Sequence, residues 1–347
     1  MSLPVAAPTL GFLEESGQAW VGSTVELCVV AAGKPSAVSE LELLLRSARA
    51  SSLRPISVHV IASNETAQNV SELRARTRWA WRGFEIVHVE AHDVARMASR
   101  SFAGIDVYAH HSGPWGMAKT FLHRLLPSLD RCILMDTDML LLNDIGLLHD
   151  EFSGFAPTTF LMLQLDTKGK RGAAAAPRRG GDAPRLVYNQ DDMCSCVILN
   201  DLSRMRTLGF DARLSAAWAD HLAHRQKLNR VSNQGILFLA LSRHLSAPEA
   251  LGLGLEWNLS GCQDFNKCHM VRWEWQCGDD VVRETVAASS SQGASACETF
   301  AGAMHANCIA PFAEHGKKTR YNDLAPDDAW SGVADAATPP AAPRALS

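Results

Sequence analysis

The chain has 347 residues, is 47% hydrophobic and 20% charged, and carries a formal charge of -4. That balance describes an ordinary globular chain, long enough for one large α/β domain or two smaller ones, with no global basic field to attract nucleic acid. No apolar run approaches the roughly 18 residues of a membrane span, so no membrane contact by the chain itself is expected.

The opening stretch, MSLPVAAPTLGFLEES, lacks the basic and apolar regions of a signal peptide. Either the protein stays in the cytosol or a leader or anchor lies outside this chain, and residues 1–24 read as a poorly defined segment. VELCVVAAG, Val25–Gly33, reads as a buried strand that ends in a turn of small residues. Ser39 is the expected cap of a helix whose Leu41, Leu44, Leu45 and Ala48 share one face. PISVHVIA (55–62) and FEIVHVEA (84–91) read as strands, with NVSELRARTRWAW helical between them. From Met117 to Leu126 the apolar residues Ala118, Phe121, Leu122, Leu125 and Leu126 form one stripe, Pro127 stops the helix, and RCILMD follows as a strand. This βαβα rhythm predicts a mostly parallel sheet covered by helices.

The rhythm breaks after FLMLQL (160–165). Residues 166–187 are rich in Ala, Gly and Pro, carry Lys168, Lys170, Arg171, Arg178, Arg179 and Arg185, and read as a flexible basic insertion, a solvated loop, with attraction of an anionic ligand as the alternative. CSCVILN resumes as a strand, Asp201 caps the helix after it, and NQGILFLALSRH supplies another helix. Residues 321–347, rich in Ala and Pro, read as a disordered tail, and there is no internal repeat. Cys28 and Cys132, in apolar strands, read as buried thiols; Cys194 and Cys196 share a face if their strand forms. Cys262, Cys268, Cys277 and Cys297 lack the close pairs of a zinc ribbon, so one or two disulfides and an oxidising compartment are expected there.

The chemistry-bearing feature is an acidic pair, Asp136 and Asp138 flanking Thr137, directly after the strand Cys132–Met135. A carboxylate is costly to keep from water without a partner. Strand C-termini in open α/β sheets are where ligands bind, and on extended backbone two residues apart face the same way, so both acids can converge on one cation. A hard divalent ion such as Mn²⁺ or Mg²⁺ takes such oxygen ligands and leaves positions for phosphates. The alternative is a solvated strand end with a local turn, since Asp-x-Asp alone is weak.

Six segments, VELCVVAAG, LELLLRSARASSLRPISVHVIA, ILMDTDMLLLNDIGLLHDEF, CSCVILNDLSRMR, EWNLSGCQDFNKC and MHANC, occur in the order found in family 8 glycosyltransferases. Between Val25 and Pro311 the chain most resembles the glucoside xylosyltransferases, while GMAKTFLHRLLP looks like the xylosyltransferase domain of LARGE-type enzymes. The resemblance implies a single catalytic domain over residues 25–320 with the GT-A fold, a Rossmann-like mixed sheet flanked by helices. It implies a UDP-sugar donor, Mn²⁺ (or Mg²⁺), retention of configuration, and a glycan or glycoprotein acceptor; it gives no oligomeric state. By the same resemblance Asp136, Asp138 and His305 are metal ligands, and Ala31, Ala32, Gly33, Thr137 and Lys119 line the donor site. Lys119 neutralises the diphosphate, Gln234 supports the reacting carbon, and Asn233, Cys194, Trp257 and Asn258 contact substrate. The leaving phosphate takes the acceptor's proton, so no dedicated base is required.

Departures cluster on the sugar side. Asn233, Gln234 and Gly235 stand where the family usually has Asp-Gln-Asp, and Cys194, Ser195 and Cys196 where it has Asn-Ser-Gly; Asp166, Asp191 or Asp192 are replacement carboxylates. The six-residue spacing of Cys262 and Cys268 matches the glucoside xylosyltransferases and implies a disulfide and a Golgi or ER lumenal setting; a complete chain with reduced thiols would be cytoplasmic. The leading expectation is xylose transfer. Its rivals are a UDP-hexose transferase of the same fold and a non-catalytic nucleotide-sugar-binding descendant. A haloacid dehalogenase-type phosphatase expects Thr or Val where Leu140 stands.

Overall fold

The computed structural model describes residues 22–110, 112–141, 143–164, 194–224, 233–245, 249–253, 259–260 and 303–305. The basic insertion, the Ala/Pro-rich tail, Trp257, Asn258 and Cys262, Cys268, Cys277 and Cys297 lie outside the described residues.

The first half builds the expected alternation. Strand β1 (Val25–Ala31) leads into α1 (Ser36–Ser51), and β2 (Ile56–Ala62) into α2 (Asn64–Thr77). Helix α1 begins earlier than its expected Ser39 cap, because Pro35, whose φ of -57° is already helical, occupies the N-cap position. Helix α2 also starts early, on a capping box in which the Ser63 N–H donates to Thr66 Oγ1 (3.1 Å). Next come β3 (Gly83–His88) and α3 (Ala91–Ser101); the latter was not expected, although Ala91, Val94, Ala95 and Ala98 recur at helical spacing, and the strand expected over 84–91 overran its first residue. The helix expected from Met117 begins at Gly113, with Pro114 in its first turn. It runs as α4 (Gly113–Ala118), a 3-10 turn (Lys119–Phe121) and α5 (Leu122–Leu125).

The second half adds β4 (Arg131–Met135), β5 (Met139–Leu141), α6 (Ile145–Asp150), β6 (Leu161–Gln164) and β7 (Cys194–Asp201). It continues with α7 (Leu202–Thr207), α8 (Phe210–His224), α9 (Asn233–Arg243), β8 (Ala250–Leu253), β9 (Leu259–Ser260) and β10 (Ala303–His305). Asp201 caps α7 as expected, accepting from the Arg204 N–H (3.0 Å).

Among the described residues the strands form a seven-stranded sheet, β3-β2-β1-β4-β7-β6-β8, and a three-stranded sheet, β5-β10-β9. Neighbours in β3-β2-β1-β4 are parallel, β7 runs against both β4 and β6, and β6 is parallel to β8. The sheet is buried on both faces, which is why its central strands read as near-continuous apolar runs. Cys28, Ile61 and Leu134 pack into one core with Phe102, Phe121, Phe160, Phe210 and Trp218. Leu27, Val29, Val58 and Ile133 pack on the other side against Leu41, Leu44 and Leu45 of α1 and Val70 and Leu73 of α2. Cys28 and Cys132 are free buried thiols, as expected; burial and the neighbouring Cys132 push the Cys28 thiol up, keeping it protonated and unreactive.

This strand order fixes where a ligand can enter. From β1 the chain adds β2 on one side and later β4 on the other, so the C-terminal ends of β1 and β4 flank a topological switch point. Crevices at such points bind ligands in open α/β sheets.

Candidate functional site

The turn after β1 lies at the switch point. Ala31 and Ala32 are buried, and Gly33 has φ +83°, a conformation that costs little only without a side chain. Thr66 Oγ1 donates to the Ala31 carbonyl (2.7 Å), and the Gly33 N–H donates to Ser63 Oγ (3.1 Å). The capping box that starts α2 therefore also pins this turn. Trp115 of α4 lies across it: a Cβ on Gly33 would come within 2.5 Å of the indole Cδ1.

The acidic pair follows β4, but not on extended backbone. The strand ends at Met135, and the Met139 N–H donates to the Asp136 carbonyl (3.3 Å), so Asp136–Met139 is a turn. The expectation of an extended pair is corrected: the chain must reverse here to enter β5. Neighbouring elements hold the turn. The Asp136 N–H donates to the Cys196 carbonyl on β7 (2.9 Å), and Thr137 Oγ1 donates to Glu40 Oε2 on α1 (2.7 Å). Two helical turns further along α1, Ser47 Oγ accepts from the Leu141 N–H (3.0 Å). One helix face thus grips both the turn that carries the acids and the strand that follows it. Asp136, Thr137 and Asp138 are all half-buried at the crevice edge.

Lys119 opens the 3-10 turn between α4 and α5 and donates through Nζ to Asp136 Oδ1. Its side chain is only 15% exposed, so it is no solvated lysine. His305 lies on β10, whose register sets it opposite Met139, the residue after Asp138. Residues from the middle and the far end of the chain thus meet at one place.

Asn233 and Gln234 start α9. Asn233 is 4% exposed, and its Nδ2 has no hydrogen-bond partner. Its Oδ1 lies 3.8 Å from where a Cβ on Gly116 would stand, and Gly116 precedes Lys119 by one helical turn. The buried amide therefore faces the same helix edge as the lysine. Gln234 is half-buried beside it. Cys194 is the first residue of β7 and pairs with Gln164 beside a register shift; Cys196 is buried and disulfide-bonded.

Among the described residues no three metal-ligating side chains gather. The donor set that the backbone assembles, two carboxylates with a histidine one strand across, nonetheless suits a borderline-hard divalent cation. Two further residues belong to this site, Glu40 and Trp115. Glu40 gives no sequence signal within an ordinary amphipathic helix, whereas the Gly-Pro start of α4 ahead of Trp115 could have been read.

No family model and no curated protein matches the sequence. Solved structures do match the fold. Mouse xyloside xylosyltransferase 1 in its apo form superposes with TM-score 0.57 at 15% identity, covering 84% of this chain and 100% of that one. The galactosyltransferase LgtC, in complex with donor and acceptor sugar analogues, gives 0.56 at 14% identity over 89% and 99% of the two chains. The glycosyltransferase GlyE of Streptococcus pneumoniae gives 0.51 at 11% identity over 90% of this chain and 63% of that one. At these identities the likeness concerns architecture, and the architecture is the GT-A fold of glycosyltransferases, as the sequence led one to expect.

Proposed function

We propose that this chain is a metal-dependent, retaining glycosyltransferase that moves a sugar from a UDP-sugar to a hydroxyl of a glycan or glycoprotein. The observation that carries the reading is the acidic turn at the sheet's switch point, with Lys119 on it and His305 in register beside it.

The chemistry follows from charge. The bond between the anomeric carbon and the β-phosphate oxygen breaks, and the acceptor hydroxyl bonds to the carbon. Its proton passes to the departing phosphate. Negative charge therefore accumulates on the diphosphate, where fixed positive charge lowers the barrier most. Asp136, Asp138 and His305 would hold Mn²⁺, which when bound supplies Lewis-acid stabilisation of the diphosphate. The Lys119 ammonium adds a second positive charge from the helix side. Ala31, Ala32 and Gly33 are proposed to line the nucleotide site, with Trp115 packed against Gly33. Asn233 brings an unpartnered buried N–H to the sugar, and Gln234 a dipole near the reacting carbon. Trp257 and Asn258 are proposed on the acceptor side, and Cys194 near the sugar.

Xylose is the proposed donor sugar, supported by the sequence resemblance and by the fold shared with a mouse xylosyltransferase. A UDP-hexose donor is the second reading, favoured by the altered residues at 233–235 and by the equal likeness to a galactosyltransferase. A lumenal setting accords with the disulfide at Cys196.

The test is a panel of UDP-sugars with Mn²⁺, scored for a raised melting temperature and for slow donor hydrolysis. UDP-xylose is expected to give the largest shift, only with metal, and Asp136→Asn and Asp138→Asn are expected to abolish it. Binding without turnover by any donor would leave a nucleotide-sugar-binding protein. No donor binding, with or without metal, would end the transferase reading.

A further inference from the structure

We infer that Lys119 is a resident counter-cation of the acidic turn, so that the divalent metal and the diphosphate enter the site together rather than independently. The inference rests on the reading of Asp136 as a metal ligand.

The ammonium donates directly to Asp136 Oδ1, and the two side chains are 15% and 20% exposed. Attraction in such a crevice is screened less than at an open surface. The backbone under the lysine is fixed. Met117, Ala118, Thr120 and Phe121 on either side of it are buried, and Phe121 packs against Phe102 in the core. The turn under Asp136 is fixed too, through Cys196 and through Glu40 on Thr137. Only the four-carbon stem of the lysine is free to carry its head elsewhere.

A divalent ion cannot take Asp136 Oδ1 while an ammonium occupies it, because two cations at contact distance repel strongly. Metal alone must therefore displace a bound cation from its carboxylate. Diphosphate alone meets an ammonium already neutralised by Asp136. When both arrive, the metal replaces the ammonium on the carboxylate, and the ammonium moves to the phosphate. Each ligand supplies the partner that the other removes. Coupling of this kind is reciprocal, so UDP strengthens Mn²⁺ binding by the factor by which Mn²⁺ strengthens UDP binding.

The experiment measures Mn²⁺ binding to the full chain by electron paramagnetic resonance of the free ion, with and without UDP. Wild type, Lys119→Met, Lys119→Gln and Lys119→Arg are compared, with circular dichroism to confirm folding. In wild type, UDP is expected to tighten Mn²⁺ binding by about tenfold or more, within the usual range of such couplings. Lys119→Met and Lys119→Gln are expected to bind Mn²⁺ alone about tenfold tighter than wild type and to gain little from UDP. Lys119→Arg, which keeps the charge, is expected to behave as wild type. If the neutral variants bind Mn²⁺ alone no tighter than wild type, while wild type binds it with UDP, the inference fails and the metal site stands. Equal Mn²⁺ affinity of wild type with and without UDP also overturns it, whatever the variants do. If wild type binds no Mn²⁺ even with UDP, the assignment of the acids as metal ligands fails first.

Discussion

Replacing Gly33 by Ala tests the turn after β1, and the structure lets its cost be divided. The position has φ +83°, and forcing an L-residue into left-handed backbone costs about 1–2 kcal/mol. The new Cβ would also stand 2.5 Å from Trp115 Cδ1 and 2.6 Å from Nε1, far inside contact distance. The indole must move, and overpacking of this kind adds about 1–3 kcal/mol. The sum, about 2–5 kcal/mol, lowers Tm by roughly 5–15 °C at a few degrees per kcal/mol for a chain of this size. Gly104→Ala is the internal control: its φ of +73° is similar, but nothing lies within 4 Å of the added carbon, so only the backbone cost remains. Urea unfolding of Gly33→Ala, Trp115→Ala and the double variant then isolates the clash as a coupling energy. In the Trp115→Ala background the glycine replacement should cost no more than Gly104→Ala does. If Gly33→Ala is as mild as the control in the native background, or if removing the indole gives no relief, the packing of Trp115 on this turn is not as described.

Two other outcomes are expected. Thr137→Val keeps the shape of the acidic turn but removes its bond to Glu40, a hydrogen bond to a charged group worth about 1.5–3 kcal/mol. Stability measured in urea should fall by an amount of that order, and Mn²⁺-dependent UDP binding should weaken with it; unchanged stability would contradict the clamp. His59 sits between Glu26 (2.7 Å to Nε2) and Glu85 (2.9 Å to Nδ1). Burial alone lowers its pKa, but the bonds to both carboxylates outweigh burial, and the net direction is up. A raised folded-state pKa contributes stability that is fully present below the unfolded pKa, about 6.5, and is lost as pH rises through the folded value. Urea unfolding from pH 5.5 to 9 should therefore show a decline that His59→Gln flattens; an equal decline in both proteins would remove His59 as its source.

The legible parts of the fold were those with local causes. β1, β2 and β4 announce themselves because both faces are buried and nearly every residue is apolar. Helix α9 shows for the same reason. Helix α3 was legible and missed: Ala91, Val94, Ala95 and Ala98 recur at helical spacing, but they are mostly small residues and follow directly on an apolar strand. Strand β10, of three residues, owes its existence to pairing with β5 from more than a hundred residues away, and the two-residue β9 to pairing with β10; no short window of sequence contains either pairing. The same division holds at the site. Asp136 and Asp138 stood out because charge at the end of an apolar strand is unusual. Glu40 did not, because on a helix face its job is set by what lies opposite in space. The turn at Asp136 was misjudged by extending the strand one step too far, when the chain had to reverse to reach β5.

The two ends of the crevice are built differently, and this bears on how the chain diverged. The end proposed for nucleotide and metal is made largely of backbone: a left-handed glycine, a turn bonded to β7, and a three-residue strand that brings in His305 by register. Such features survive wide change of side chains, which accords with a shared fold at about 15% identity. The end proposed for the sugar is made of side chains, and there the departures from the resembled family concentrate, at Cys194, Cys196, Asn233 and Gly235. Asn233 carries the most information among them. A buried amide N–H with no partner costs about 1–3 kcal/mol, and the fold gains nothing from it. A carboxylate there would be a pure acceptor, whereas the amide adds a donor, so the exchange changes which sugar oxygens can be met. On the proposed function a ligand oxygen supplies the missing partner, which makes position 233 the proposed determinant of donor identity.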